Sequence, residues 1–431
     1  MSKIEKIKNL ISDLNDQLAL CKRCGICMAV CPVFAETGLE SDVARGKLAL
    51  LDGLVQEMFN SPHKVFDYLN RCLLCGSCSD KCPRNVRVLD IFIKARAILS
   101  GFIGLSVAEK LMLRFILSHP MVFNRSVQHI SGAVKLFAKP ASDVLGTFCA
   151  RSYSPWIGNR HFIPIASTPF HQMIPSLNKP VKTSGIKAAF FTGCLIDKLF
   201  PRVAVATVTA LQFHDVNVDV PEVQACCGAP AISSGDLNTF HKLIDYNLRI
   251  FNPDNFDFLI TSCATCTFII KTVWPMMMQK KDLLVQHTIE KIAAKTIDIN
   301  RFLVSVTGLQ KNRATRGNTV DVTYHDPCHM KKKFDISAEP RALICANRSY
   351  RLKEMSEADR CCGFGGSFNI KHYGLSSSIG KRKMENIKAS GCRIVATGCP
   401  ACMLQISDAL SASETHLSVK HPVEIYAESF F

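Results

Sequence analysis

The cysteines constrain this chain more than any other feature. Eighteen of its 21 cysteines fall into two patterns, and each pattern occurs twice. Cys21-x-x-Cys24-x-x-Cys27-x-x-x-Cys31-Pro32 recurs as Cys72-x-x-Cys75-x-x-Cys78-x-x-x-Cys82-Pro83. Further on, Cys194, Cys226-Cys227-Gly228 and Cys263-x-x-Cys266 recur as Cys328, Cys361-Cys362-Gly363 and Cys399-x-x-Cys402. Only Cys149, Cys345 and Cys392 stand outside, and they read as buried thiols. Sulfur spaced this regularly is metal-ligand spacing, so the fold has to converge on metal.

Residues 1–20 alternate charge and apolarity at helical spacing and hold no secretory-type apolar core. No apolar run approaches the roughly 18 residues that span a bilayer. A cytoplasmic location is therefore expected, where thiolates stay available to metal. The formal charge is +16, yet no nucleic-acid module is recognisable, and a nucleic-acid partner is not expected. Between 101 and 180, eight cations (Lys110, Arg114, Arg125, Lys135, Lys139, Arg151, Arg160, Lys179) face two acids, Glu109 and Asp143. This apolar, basic segment suits the anionic inner face of the cytoplasmic membrane, and equally an acidic partner subunit.

Four regions follow. Residues 1–100 carry the first cysteine pair, with helical periodicity over Ser41–Tyr68 (Leu48, Leu51, Leu54, Val55, Met58) and Val88–Leu99. Residues 101–185 form a connector whose second half, with Pro155, Pro164, Pro169, Pro175 and Pro180, reads as loop. Residues 186–310 and 311–431 read as an internal duplication in which strands alternate with helices. Strands are expected at Ile186–Thr192, Val216–Val220, Phe258–Thr261, Val320–Tyr324 and Arg393–Thr397. Helices are expected at Leu199–Phe213, Asp236–Phe251 and Leu375–Ala389, and both Cys-x-x-Cys runs open a helix. The cysteines then sit at carboxyl ends of strands, where open α/β sheets place ligands.

The first pair has the bacterial ferredoxin spacing for [4Fe–4S] clusters, in which the fourth cysteine serves the other cluster. Cluster one takes Cys21, Cys24, Cys27 and Cys82; cluster two takes Cys72, Cys75, Cys78 and Cys31. The proline after each fourth cysteine redirects the chain, and Gly25 and Gly76 allow close backbone approach. Zinc also takes four thiolates, but usually from two separate Cys-x-x-Cys knuckles. The long helical insert between the motifs is similar to the α-helical ferredoxin domain of fumarate reductase and heterodisulfide reductase subunits.

The second pair is spaced C-x31-C-C-x35-C-x-x-C and then C-x32-C-C-x36-C-x-x-C. It resembles the CCG domains found in heterodisulfide reductase, in anaerobic glycerol-3-phosphate dehydrogenase, and in the iron–sulfur subunits of glycolate oxidase and D-lactate dehydrogenase. The order of modules, and the tail from Gly398-Cys399-Pro400-Ala401-Cys402 to His421-Pro422-Val423-Glu424, is most like the last group. The fold this implies is multi-domain α+β: an α-helical ferredoxin domain followed by two α/β CCG domains. The resemblance also implies that Cys194, Cys226, Cys227, Cys263 and Cys266 serve one site, and Cys328, Cys361, Cys362, Cys399 and Cys402 another. These sites would hold non-cubane iron–sulfur clusters, with zinc as the alternative in either. Gly228 and Gly363 permit the turn that two adjacent ligands need. His325 and His329, with Lys331, Lys332 and Arg360, are candidates to support the second site from behind its ligands.

Gly363-Phe364-Gly365-Gly366 fits no phosphate-loop pattern. Arg45-Gly46-Lys47 resembles an RGK/RGR element found after the first cluster motif in lactate and glycolate oxidase relatives, and reads equally as a cation pair on a helix face. Neither a flavin nor a nicotinamide fingerprint is present. Iron–sulfur centres pass single electrons, so oxidation of a 2-hydroxy acid needs an FAD-containing dehydrogenase subunit as partner, with a quinone or another carrier as acceptor. Two other functions compatible with the pattern are a thiol–disulfide reductase and the cysteine-rich subunit of glycerol-3-phosphate dehydrogenase.

Overall fold

The computed structural model describes residues 10–11, 14–58, 61–126, 137–152, 158–177, 185–278, 282–310 and 319–430. Lys135, Lys179, Pro155 and Pro180, and most of the N-terminal helical stretch, lie outside these. The chain divides into two units. Unit one takes residues up to Phe115 together with Gly228–Lys242 and Gly363–Gly380; unit two takes Ile116–Cys227, Leu243–Cys362 and the rest.

Unit one has no strand among its described residues. Gly25 (φ 87°) and Gly76 (φ 78°) adopt the left-handed conformation and cap the short helices Ile26–Val30 and Ser77–Asp80. Each ferredoxin-type run therefore turns at its glycine and then coils. The apolar stretch expected over Ser41–Tyr68 is not one helix. A 3₁₀ turn at Glu40–Asp42 leads into Ala44–Val55, and a second helix, Pro62–Asn70, starts on its proline. Leu48, Leu51, Leu54 and Val55 are buried, but Met58 is 73% exposed. Glu57, with φ 57°, has already turned the chain away. The helix Val88–Ile103 runs one turn beyond expectation and stops at Gly104 (φ 88°). It is apolar nearly all round and correspondingly buried.

Unit two contains the sheets of both halves of the duplication. Strands β1 (Ala138–Ser142) and β2 (Thr147–Ala150) first make an antiparallel hairpin within the connector, which sequence periodicity does not reveal. Cys149 lies in β2 opposite Lys139. Then come β3 (Lys187–Phe191), β4 (Asn217–Asp219), β5 (Phe258–Thr261) and β6 (Thr296–Asp298), a parallel sheet in the order β4-β3-β5-β6. Strands β7 (Val320–Tyr324), β8 (Tyr350–Leu352), β9 (Ile394–Ala396) and β10 (Ser418–Lys420) give β8-β7-β9-β10, the same order. The strands β6, β8 and β10, three residues each, escape sequence reading. The longer central strands are buried runs such as Ala188–Phe191, as a sheet covered on both faces requires. The first strand of each sheet lies between the second and third, so successive connections leave it in opposite directions. That is a topological switch point, where a crevice opens at the carboxyl ends of strands.

No single helix among the described residues is long and apolar enough to cross a membrane. Val88–Ile103 and Val107–Leu117 meet that test only as a pair bent by 113°.

Candidate metal centres

In unit one, Cys31, Cys72, Cys75 and Cys78 line a single chamber, walled by Leu73, Leu74, Val88, Leu89 and Phe92. The helix Pro32–Thr37 delivers Cys31 as its N-cap, and the Phe34 amide donates to Cys31 Sγ at 3.5 Å. Burial pushes the Cys31 thiol up to about 12, with Cys75 and Cys72 adding repulsion. Cys78 is raised well above its ordinary value for the same reasons. A metal cluster among them would supply the positive charge that lets the buried Cys31 and Cys78 sulfurs stay ionised. Cys21, Cys24 and Cys27 form a second group, with Cys27 raised by burial and by its two neighbours. Cys24 is exposed, so this group lies nearer the surface. Cys82 follows the helix Ser77–Asp80, which packs on Ile26–Val30, the helix that carries Cys27.

Cations are distributed unevenly around the two groups. Arg45, beside Cys27 and Cys24, pairs with Glu40 at 2.7 Å and donates to the Arg23 carbonyl at 3.3 Å. Lys47 is 1% exposed and lines the chamber of the other group. It donates to the Asp42 carbonyl and lies 3.8 Å from the Asp42 carboxylate, which Arg71 also pairs at 2.7 Å. Burial lowers the Lys47 pKa, while Cys72, Asp42 and Cys31 oppose that. Arg96, fully buried, donates to the carbonyls of Leu69 and Cys72.

In unit two, each set of five cysteines gathers at the carboxyl ends of its sheet. Cys194 follows β3, Cys226-Cys227 follow β4, and Cys263 caps the helix Ala264–Phe268 after β5. Cys194 and Cys226 sulfurs are 3.5 Å apart. Hydrogen bonds from Cys226 and Cys266 pull the Cys227 thiol down to about 6. Cys194 and Cys266 are raised, chiefly by hydrogen bonds that favour their protonated forms. In the second set, Cys328 opens the helix after β7, and Cys362 and Cys402 sulfurs are 3.4 Å apart. The two sets also meet each other. Thr265 Oγ1 lies 3.5 Å from Cys399 Sγ, and the Ala264 amide donates to the Gly398 carbonyl. Hydrogen bonds from Cys263 and Cys402 favour thiolate at Cys399. No disulfide joins any cysteines among the described residues.

Gly228 (φ 95°) and Gly363 (φ 98°) follow the two Cys-Cys pairs in the left-handed region. A Cβ at 228 would fall 2.5 Å from the Phe240 ring; one at 363 would fall 2.7 Å from the Ser376 carbonyl oxygen. No other residue fits either turn.

The surroundings of the two sets differ. His325, three positions before Cys328, is fully buried, and Nδ1 lies 3.0 Å from the Ala358 carbonyl. If Nδ1 carries the proton that this contact calls for, Nε2, which has no hydrogen-bond partner, presents a lone pair. A ring nitrogen of His325 lies within 4.8 Å of the Cys362 and Cys402 sulfurs. Burial and Lys383 hold its pKa at about 3, so the ring is neutral. The first set has Phe191 at this position. Lys383, 2% exposed, donates to the Glu357 and Ala358 carbonyls. Burial draws its pKa down to about 8 against the pull of Cys362 and Cys361. Asn247 takes the comparable place in the first set, donating to the Cys226 carbonyl at 3.2 Å and accepting from the Ala225 amide at 3.1 Å.

Of the residues expected to support the second set, His325 lies against its sulfurs. His329 stacks on Phe268 with centroids 4.4 Å apart. Lys331 pairs with exposed Asp335, and Arg360 with Glu357. The buried cation is Lys383, which sequence reading missed because a lysine among the charges of the helix Tyr373–Ala389 looks solvated. At the ends of β6 and β10 the fold places Asp298 and His421, both helix N-caps and both buried.

Comparison with known proteins agrees with this division. A "4Fe-4S dicluster domain" family matches residues 17–86, and a "Cysteine-rich domain" family matches 188–271 and 322–407. The chain is 29% identical over 420 residues to the "Probable glycolate oxidase iron-sulfur subunit" of Bacillus subtilis, covering 94% of this chain and 92% of that protein. Lactate utilization protein A of Bacillus pumilus is 29% identical over 56% of this chain and 98% of its own length. A fumarate reductase (CoM/CoB) subunit of Methanothermobacter marburgensis is 33% identical over 52% of this chain and 42% of its own.

Proposed function

Because the chain is a homologue of glycolate oxidase iron–sulfur subunits, with a dicluster domain followed by a duplicated CCG domain, we propose that it is the electron-transfer subunit of a 2-hydroxyacid dehydrogenase. The observation that carries this reading is the chamber that gathers Cys31 with Cys72, Cys75 and Cys78, ligands drawn from both ferredoxin-type runs. Cys21, Cys24, Cys27 and Cys82 hold the first cubane, and the chamber holds the second. When bound, such clusters take up and release single electrons. The protein's part is to hold them with thiolates, wall off the buried one with Leu89 and Phe92, and set the charge around each.

The substrate is D-lactate or glycolate, taken at an FAD-containing partner that accepts the hydride, since this chain offers no flavin fingerprint. A quinone or another carrier is the final acceptor. The five-cysteine sets hold further iron–sulfur centres, with a Cys/His zinc site as the alternative at the second. Attachment to an anionic membrane face draws support from the helix turns that expose Val107, Leu111, Met112 and Phe115 beside Lys110.

The test is anaerobic purification with iron, sulfide and zinc analysis, then mixing with the partner flavoprotein. Hydroxy acid should reduce the clusters only when the flavoprotein is present. Fewer than about eight irons per chain would remove the two-cubane reading. A second reading, thiol–disulfide reduction, is favoured by the contacts of Thr265 with Cys399 and of Ala264 with Gly398, which bring two sulfur-rich sites together where two single electrons are needed at once. Reduction of a disulfide by a chemical donor, without flavoprotein, would favour it.

A further inference from the structure

The Arg45-Gly46-Lys47 element has so far had no function. Residues two apart on a helix project about 200° apart, onto opposite faces. Arg45 and Lys47 open the helix Ala44–Val55, and they turn toward different cysteine groups. Arg45 faces Cys24 and Cys27; Lys47 enters the wall of the Cys31, Cys72, Cys75 and Cys78 chamber. Gly46 makes this possible. A Cβ there would lie 2.1 Å from the Glu40 carbonyl oxygen, so only glycine lets the helix press on the Glu40–Asp42 turn that grips Lys47.

The two cations are unequal in effect. The Arg45 side chain is 25% exposed and is paired with Glu40, so water and its partner screen it. Lys47 is 1% exposed. Its carboxylate neighbour Asp42 is shared with Arg71, so these three side chains leave one net positive charge beside the chamber. A charge in so dry a place acts on its surroundings far more strongly than one in water.

We propose that Lys47 sets the reduction potential of the second cubane, acting on that cluster and not on the first. The inference rests on the two-cubane reading above. A reduced cluster with its thiolates carries one more negative charge than the oxidised one, so a fixed ammonium favours the reduced form. The change involves one electron at one centre and neither makes nor breaks a bond.

The experiment is an EPR-monitored redox titration of the anaerobically purified, iron-replete chain, without partner or substrate. Cys75→Ser marks the signal of the second cluster. Lys47→Met should lower that cluster's midpoint by the equivalent of at least about tenfold in the electron's partition, about 59 mV for a one-electron couple. The first cluster should hold its midpoint, and Lys47→Arg should largely restore the second. An unmoved midpoint in iron-replete Lys47→Met, or equal shifts of both clusters, would overturn the proposal. Where Lys47→Met does not load iron, Asp42→Asn carries the test, because removing the counter-charge should raise the second midpoint; no rise would overturn it. Wild-type protein lacking two cubane signals would instead sink the reading on which this rests.

Discussion

The two five-cysteine sites share a backbone and differ in what surrounds the sulfur. Both lie at the switch point of a four-stranded parallel sheet with the same strand order, and both turn on a left-handed glycine. Around this shared frame Phe191 stands where the second has His325, Asn247 where it has Lys383, and Asp298 where it has His421. Asn247 sets an amide beside the first Cys-Cys pair, whereas the second set has the Lys383 ammonium and the His325 imidazole, the latter within 4.8 Å of two sulfurs. The repeat keeps the placement of the cysteines on the sheet and changes the charge around them. The second site is therefore the better host for a more anionic centre, and the one equipped for a nitrogen ligand.

The largest effect that bears on this contrast is loss of a site. Cys227→Ser and Cys362→Ser should each remove the metal of one set and leave the other, measured by metal analysis of purified protein. Zinc that disappears only with Cys362→Ser would make the sites chemically different; equal iron losses would make them alike.

Acid response comes next. Asp298, buried, has its carboxyl pKa raised to about 7, above the unfolded value, so its stability contribution is full at low pH and fades as pH rises from about 4 to 7. Burial lowers the His421 pKa to about 4, below the unfolded value, so its contribution grows as pH rises from about 4 to 6.5. The two slopes oppose each other. Asp298→Asn should expose a rise in stability with pH, and His421→Asn a fall, each on the order of 3 kcal/mol across that window by denaturant unfolding. Parallel profiles for the two variants would break the contrast.

Gly228→Ala and Gly363→Ala should each cost about 2–3 kcal/mol, from left-handed strain together with overpacking. The loss should be greater at 363, where the obstacle is the Ser376 backbone rather than a ring that can rotate. Equal losses would show that strain alone decides. The smallest expected change is electrostatic. Lys383→Met should shift the equilibrium of the second centre alone by about tenfold, or about 1.4 kcal/mol, read as a midpoint in a redox titration.

Ligand spacing, the longer buried strands and the repeat were legible from sequence, because each leaves a linear signature: cysteine intervals, apolar runs, near-identical separations. Other features depend on neighbours that arrive from elsewhere in the chain. Lys383 and Lys47 look like solvated helix cations until Glu357 and Asp42 close over them. The break between Val55 and Pro62 lies inside a periodic run, and the β1–β2 hairpin shows neither alternation nor an Asn-Gly turn. Lys331 and Arg360 were tempting because they are close in sequence to their site, yet each pairs with an acid of its own.

Of the ten cysteines at the ends of the two sheets, eight are buried: Cys226, Cys227, Cys263, Cys266, Cys361, Cys362, Cys399 and Cys402. Metal cannot reach sulfur so enclosed once the strands have closed around it. Loading is thus a matter of timing. A centre held by these sulfurs would have to enter before its own sheet closes, β3 to β6 for the first set and β7 to β10 for the second.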